Sequence, residues 1–308
     1  MEIGMRDFHW DTDFESVRNF LIEAWNAGPL YRNFVPTMME NVKFGPGGTE
    51  YLDEEDEYVK IWEIQSASIS KIVAVSIVKP SGECWINIHP EHLKIERTII
   101  QWIEEQRREL KEDHAAKGSY YFVVEDDDSK RISLLQGLGF QKAELEGVSR
   151  VRPANLPVPK YEVAEGYTIR HTDIHTEYEE YRTVQKAVFP HIKSMSKDQL
   201  EAFSTASFYV PELDIVAVDS NGVFAAFCTG RLDPVSRIAE LEPVGTHPDH
   251  RKKGLAKATI LECLSRLEKY NPVVVVILGA AATEGANRLY DSVGFENKGE
   301  RHLWRKDV

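Results

Sequence analysis

Pro248-Asp249-His250-Arg251-Lys252-Lys253-Gly254-Leu255-Ala256 joins two apolar runs of different period. Before it, Ile238-Ala239-Glu240-Leu241-Glu242-Pro243-Val244 reads as a strand. After it, Leu255, Ala258, Ile260, Leu261, Leu264 and Leu267 mark one face of a helix reaching about Tyr270. A helix that opens straight after a strand presents backbone N–H groups with no intrahelical acceptor, and their partial positive charge suits an anion. Gly254 and the small Ala256 let a phosphate come close to the backbone, while Arg251, Lys252 and Lys253 add positive charge. Alone, an Arg-Lys-Lys run is more often a solvated loop. The strand before it and the glycine and small residue after it favour a phosphate cradle.

Working outward, the second half predicts a strand at Tyr167–Arg170 and a helix over Asp173–Phe189. Asp214–Val218 and Val223–Cys228 form a hairpin across Asn221-Gly222, a strong turn signal. After the cradle helix come a buried strand at Val273–Leu278, a helix around Glu284–Ser292 and a strand from about Phe295. The first half runs similarly: a helix at Phe14–Trp25, strands at Val59–Ile64, Ile72–Ile77 and Cys84–Ile88, then a helix from Ile95 to Leu110. A strand at Tyr120–Val124, a helix at Ser129–Leu138 and a strand from Phe140 complete it. His89-Pro90-Glu91-His92 mirrors His247-Pro248-Asp249-His250 at an offset of 158, and Gly139-Phe140 mirrors Gly294-Phe295 at 155. Two motifs recurring in order at nearly one offset predict tandem copies of one α/β fold with mixed sheets. Pro153, Pro157 and Pro159 mark a linker, giving domains at 1–150 and 161–308 joined by 151–160.

Composition bounds the function. A formal charge of −13 argues against a general nucleic-acid binder, which needs clustered cations facing phosphates. No run approaches 18 apolar residues and the first residues lack an apolar signal core, so neither a membrane span nor a signal peptide is expected. Cys84, Cys228 and Cys263 are far apart and odd in number, as in a reduced cytoplasmic protein with buried thiols. The histidines are scattered and no metal site is expected.

Arg251-x-x-Gly254-x-Ala256 resembles the Q/R-x-x-G-x-G/A signature of the GNAT acetyltransferase superfamily, and Leu289-Tyr290-x-x-x-Gly294-Phe295 resembles its second signature. The element order of both halves fits that family, but the motifs are intact only in the second. The resemblance implies two tandem GNAT-like acyl-coenzyme-A N-acyltransferase domains, with acetyl-coenzyme A as cosubstrate and a small amine or peptide as acceptor. It makes Arg251, Lys252, Lys253, Gly254, Leu255 and Ala256 the pyrophosphate loop. Val244, Gly245 and Thr246 become a strand edge for the pantetheine arm that also polarises the thioester carbonyl. Thr283 and Asn287 complete the coenzyme set, Thr283 standing where relatives often carry Asn. In the first half Leu93, Glu96 and Thr98 fall opposite Arg251, Gly254 and Ala256, and Leu135 opposite Tyr290. A carboxylate about 4 Å from a phosphate charge costs about 4 kcal/mol at an effective dielectric near 20, so this copy is expected to be degenerate and structural.

Transfer to an amine needs a base, because a lysine-like amine with a pKa near ~10.4 arrives protonated. Glu240 and Glu242 alternate onto one strand face that leads to the cradle. Such pairs are commonly a solvated face; by the resemblance Glu240 matches a base position in some members, and Glu242 could serve equally. Tyr290 would be the acid toward the coenzyme sulfur, its plainer role being a core tyrosine. Neither Cys228 nor Cys263 has a neighbouring histidine in sequence, which favours direct attack in a ternary complex over an acyl-cysteine. The other readings are a non-catalytic acyl-coenzyme-A sensor, or a mycothiol-synthase-like member or one using another acyl donor. In the fold the resemblance implies, the acceptor is expected against about Val184–Ala206, including Phe189-Pro190-His191-Ile192-Lys193, together with the facing domain.

Overall fold

A computed structural model of the chain describes residues 3–28, 34–45, 59–66, 69–79, 81–112, 118–190, 192 and 194–307. His191 and Lys193 of the expected acceptor segment lie outside them. The elements, in order, are β1 (Ile3–Asp7), α1 (Trp10–Ala27), α2 (Met38–Phe44), β2 (Val59–Ser66), β3 (Ile69–Val78), β4 (Cys84–Ile88), α3 (Glu96–Glu112), β5 (Ser119–Glu125), α4 (Ser129–Gly137) and β6 (Gln141–Pro153). There follow β7 (Tyr167–His171), α5 (Tyr178–Val188), α6 (Lys197–Phe203), β8 (Tyr209–Asp219), β9 (Phe224–Leu232), β10 (Ile238–Thr246), α7 (Leu255–Leu267), β11 (Val274–Ala280), α8 (Glu284–Ser292) and β12 (Glu296–Asp307). Each half thus runs strand, two helices, three strands, then helix, strand, helix, strand.

The chain divides into two compact units that are not consecutive in sequence. One comprises Met1–Pro36, Leu52–Val148 and Gly299–Val308; the other Thr37–Tyr51 and Ser149–Lys298. The expected division at 150 and 161 therefore changes in three ways. Strand β6 runs on to Pro153, helix α2 groups with the second unit, and most of β12 groups with the first. In the first unit β12 pairs antiparallel with β5, Trp304 opposite Phe122 and Leu303 opposite Val123. Trp304, buried beside Phe122, Phe140 and Ile103, fixes this exchange by burying a large aromatic surface. A relabelling of segments between two copies leaves no mark in local periodicity, so the sequence could not reveal it.

Within the first unit β1 to β4 form an antiparallel sheet in chain order. Val17, Phe20, Leu21, Ala24 and Trp25 of α1 are buried at helical spacing. Within the second, the strand order is β11-β10-β9-β8-β7, with β10 and β11 parallel and the rest antiparallel. Every residue of β9 is buried, as the apolar run Phe224–Cys228 suits in a strand covered on both faces. Leu261, Leu264 and Leu267 of α7 pack against Leu213, Ile215 and Cys228 of the adjoining strands. Asn221-Gly222 closes the β8–β9 hairpin as expected: Gly222 has φ +86°, and the Asp219 carboxylate accepts from Asn221 N and Val223 N.

The helix expected over Asp173–Phe189 begins only at Tyr178, because Glu177 organises a turn before it. Its carboxylate accepts from the Arg170 guanidinium at 2.8 and 2.5 Å, from Thr172 Oγ1 at 3.0 Å and from Asp173 N at 3.0 Å. Chiefly through Arg170, these bonds hold its pKa down at about 2. A lowered carboxylate pKa stabilises the fold above its ordinary value near 4.5 and ceases to do so as pH falls toward 2. Glu177→Gln is expected to cost about 1 kcal/mol at pH 7, discounted for exposure, with the gap closing by about pH 2 in urea melts. A gap independent of pH would refute the assignment. Among the described residues no helix is long and apolar enough to cross a membrane.

Candidate active site

The cradle segment leaves β10 through a 3-10 turn at Pro248–His250, whose first N–H groups are met by the side chain of His247: Asp249 N donates to His247 Nδ1 at 3.2 Å. Lys252 and Gly254 then adopt left-handed backbone, φ +63° and +77°. This alternation turns successive N–H groups toward one concavity, the geometry of an anion nest. Helix α7 starts on it with no side-chain cap and no acidic residue in its first turn. Its first intrahelical bond is Ala258 N to Gly254 O, so the N–H groups before it have no acceptor within the helix. Leu255, buried against Ala217, Ala225 and Ala226, anchors this end of the helix.

The basic side chains divide. Arg251 Nε donates to Thr246 O at 3.4 Å, and Lys252 is exposed. Lys253 turns away: its Nζ donates to Tyr167 Oη at 2.6 Å, and that hydroxyl lies 2.8 Å from His250 Nδ1. The helix start therefore offers backbone amides without intrahelical acceptors, with Arg251 and Lys252 exposed in the same loop and Lys253 engaged by Tyr167.

Beside the cradle the sheet splays. Strand β10 pairs with β11 only at Ile238, Ala239 and Glu240, while Val244, Gly245 and Thr246 stay paired with Cys228, Phe227 and Ala226 of β9. A register shift between Leu241 and Val244, at a cis Glu242–Pro243 bond, accompanies the opening. The β11-facing edge of Val244–Thr246 is thus outside the parallel ladder, as a slot for an extended chain requires. Gly245 has to be glycine for packing: a Cβ there would lie 2.7 Å from both Phe227 and Val188.

The two strand carboxylates stand in different settings. Glu240 is 4% exposed and 3.6 Å from the Arg231 guanidinium on β9. Glu242 is exposed and lines a cavity of about 160 Å³. Tyr181, Gln185 and Phe189 from α5 and the turn after it, Leu200 and Phe203 of α6, Ile192, Ser194, Met195, Arg231, Pro243 and Asn41 of α2 form the rest of its wall. The expected acceptor segment therefore supplies much of this wall, Asn41 comes from the half expected to face it, and Tyr181 and Arg231 lie outside the expected segment. Asn41 lies more than a hundred residues away in sequence. Arg231, a cation inside an all-buried strand, was the signal available and overlooked.

Tyr290 is 7% exposed on α8, its ring 6.1 Å from Phe295. Burial first, then Cys228 and the Glu242 carboxylate, push its pKa upward, against the Arg150 guanidinium 5.5 Å from the ring. Tyr290 belongs to the apolar cluster against which Val244 of β10 packs. Arg150, with its side chain 1% exposed, donates to Asp291 Oδ1 and Asn287 Oδ1, each at 2.7 Å, so Asn287 has a structural partner here. Arg152 likewise ties Val293 O, Leu156 O and Pro157 O, holding the segment read as a linker against the end of α8. Thr283 caps α8, accepting from Ala286 N at 3.2 Å. Burial raises the Cys228 thiol well above its usual range, keeping it protonated.

In the first unit His89 caps a 3-10 turn as His247 does, accepting from Glu91 N at 3.3 Å. That turn runs from Pro90 to Ile95 directly into α3, without left-handed residues. Glu96, opposite Gly254 in the repeat, is buried and bound by Arg131 Nε at 2.5 Å. An internal ion pair lies where the second copy has an open helix start. Two sets of side chains in this unit, His89–Glu91–His92 and Asp126–Glu300–His302, have ion-compatible spacing; neither belongs to the unit that carries the cradle.

Residues 172–295 match the sequence profile of the acetyltransferase (GNAT) family. The chain is similar to a solved GCN5-related N-acetyltransferase from Sphaerobacter thermophilus at 17% identity and TM-score 0.69, covering 99% of this chain and 95% of that one. A tandem GNAT protein from the clavulanic acid biosynthesis pathway gives 14% and 0.68, covering 99% and 98%. Saccharomyces cerevisiae N-myristoyltransferase with bound myristoyl-CoA gives 11% and 0.63, covering 100% and 79%. At these identities the likeness is one of fold. No curated protein matches the chain in sequence.

Proposed function

We propose that this chain, whose second half is a GNAT acetyltransferase-family domain within a tandem GNAT fold, transfers an acetyl group from acetyl-coenzyme A to the amine of a small molecule. The observation that carries the reading is the conjunction at one end of β10. A left-handed Lys252–Gly254 loop opening α7 adjoins a strand edge left outside the β11 ladder, Glu242 lies on that strand, and Tyr290 belongs to the apolar cluster against which Val244 packs.

In this reading the nest and α7 hold the diphosphate, and the Val244–Thr246 edge holds the pantetheine arm and polarises the thioester carbonyl. Glu242, on the cavity wall, takes a proton from the acceptor amine, directly or through water. The amine nitrogen bonds to the acyl carbon as the carbon–sulfur bond breaks, Tyr290 supplies a proton to the departing sulfur, and the second proton that the nitrogen sheds on becoming an amide restores the tyrosine hydroxyl. The protonated Cys228 thiol supports direct transfer over an acyl-cysteine. Glu240, buried against Arg231, serves better as a structural charge than as a base. The first unit, with Glu96 bound to Arg131, is structural.

Calorimetric titration with acetyl-coenzyme A tests this. One site per chain is expected, with thiol release in an amine screen. Two sites would overturn the reading of the first unit; binding without turnover on any amine would favour a sensor.

A further inference from the structure

The cavity behind Glu242 contains a cation, Arg231, whose side chain has no hydrogen-bond acceptor among the described residues. Arg231 is 4% exposed and lines the cavity, yet its side chain makes no hydrogen bond to any described residue, and its Nε is sealed from solvent without a partner. Its neighbours are the Glu240 carboxylate at 3.6 Å, too long for a hydrogen bond, and the faces of Phe203 and Phe208 at 5.7 and 5.5 Å. Glu240 thus balances the charge without satisfying the donors. Buried arginines elsewhere in the same unit behave otherwise: Arg150 and Arg152 each donate at least two hydrogen bonds at 3.0 Å or less. Buried donors are nearly always satisfied, so a guanidinium left open toward a cavity points to an acceptor supplied by a ligand. Its planar fork matches a carboxylate in two-point contact.

The remainder of the wall narrows the ligand. Phe189, Ile192, Met195, Leu200 and Phe203 make it largely apolar. A volume of about 160 Å³ suits one ring or a branched aliphatic chain, since an apolar cavity of about 150 Å³ accepts benzene. Glu242 on the same wall offers a negative charge to an ammonium group. Given the acyltransferase reading above, on which this rests, we infer that the acceptor is a free amino acid with a large apolar side chain. Arg231 holds its carboxylate, and Glu242 receives its ammonium group. A polyamine would set further cations against Arg231 and offer it no acceptor.

The test uses the full chain with coenzyme A present. Calorimetry compares L-phenylalanine with phenethylamine and L-leucine with isopentylamine, each pair differing only in the carboxylate. The amino acids are expected to bind at least 30-fold more tightly. That preference is expected to fall below threefold in Arg231→Lys, which keeps the charge beside Glu240 but loses the fork. It is expected to fall likewise in Arg231→Gln/Glu240→Gln, which removes both charges together and so guards against misfolding. Equal binding of the amines, no binding of the amino acids, or a preference that survives both variants would overturn the inference. Thiol release is measured separately. Turnover of phenethylamine without amino-acid binding would sink the assignment of Arg231 and spare acyl transfer; amino-acid binding without turnover would do the reverse.

Discussion

Gly254→Glu is expected to weaken acetyl-coenzyme A binding by 100-fold or more while leaving the second unit folded. A Cβ at Gly254 would meet nothing within 4 Å, so the substitution creates no clash inside the protein. Two effects remain. At φ +77° any side chain strains the backbone by about 1–2 kcal/mol. A carboxylate about 4 Å from a phosphate oxygen adds about 4 kcal/mol of repulsion at an effective dielectric near 20. The second term dominates, and 1.4 kcal/mol corresponds to a factor of about ten. Gly254→Ala separates them, since it brings the strain without the charge. It is expected to lower the melting temperature by a few degrees and to change coenzyme affinity by less than tenfold. Calorimetry on both variants decides. Gly254→Glu binding within tenfold of the parent would remove the cradle from the coenzyme site, and with it the proposed activity.

How much of this was legible in the sequence follows from the range of each signal. The strand, loop and helix at the end of β10 were, because they lie within a few dozen residues and each leaves a local mark. The repeat was, because His89-Pro90 and His247-Pro248 keep the same capping job after equivalent strands. The carboxylate of Glu96 opposite Gly254 was visible, but its partner Arg131 was not, since ion pairing across 35 residues leaves no local mark. The different settings of Glu240 and Glu242 were hidden: simple alternation treats i and i+2 alike, whereas the register shift after Leu241 and the cross-strand Arg231 distinguish them. The contribution of α2 to the acceptor cavity, and the passage of β12 to the first unit, depend on tertiary arrangement alone.

The second large effect is expected from the pair beside the splay, and pH is what resolves it. Glu242→Gln is expected to lower kcat/KM by 10²- to 10⁴-fold near pH 7, the ordinary span for loss of a positioned base. The deficit should shrink as pH rises toward the pKa of the acceptor ammonium, because an amine already free of its proton has no need of a carboxylate. Tyr290→Phe is expected to lower kcat by a comparable factor at every pH, with coenzyme affinity within twofold of the parent. Burial and the nearby Glu242 charge raise the Tyr290 pKa, so its hydroxyl stays protonated well into alkaline solution, and the parent kcat should show no alkaline fall below about pH 10. Glu240→Gln should behave differently again. It removes one carboxylate from beside the buried Arg231, and removing one partner of such a pair costs about 3–5 kcal/mol. Its deficit should therefore appear in the melting transition, with kcat per folded molecule largely kept. Should Glu240→Gln instead reproduce the pH-dependent loss while Glu242→Gln turns over normally, the base is the buried carboxylate, and the Glu242 side of the cavity has only a binding role.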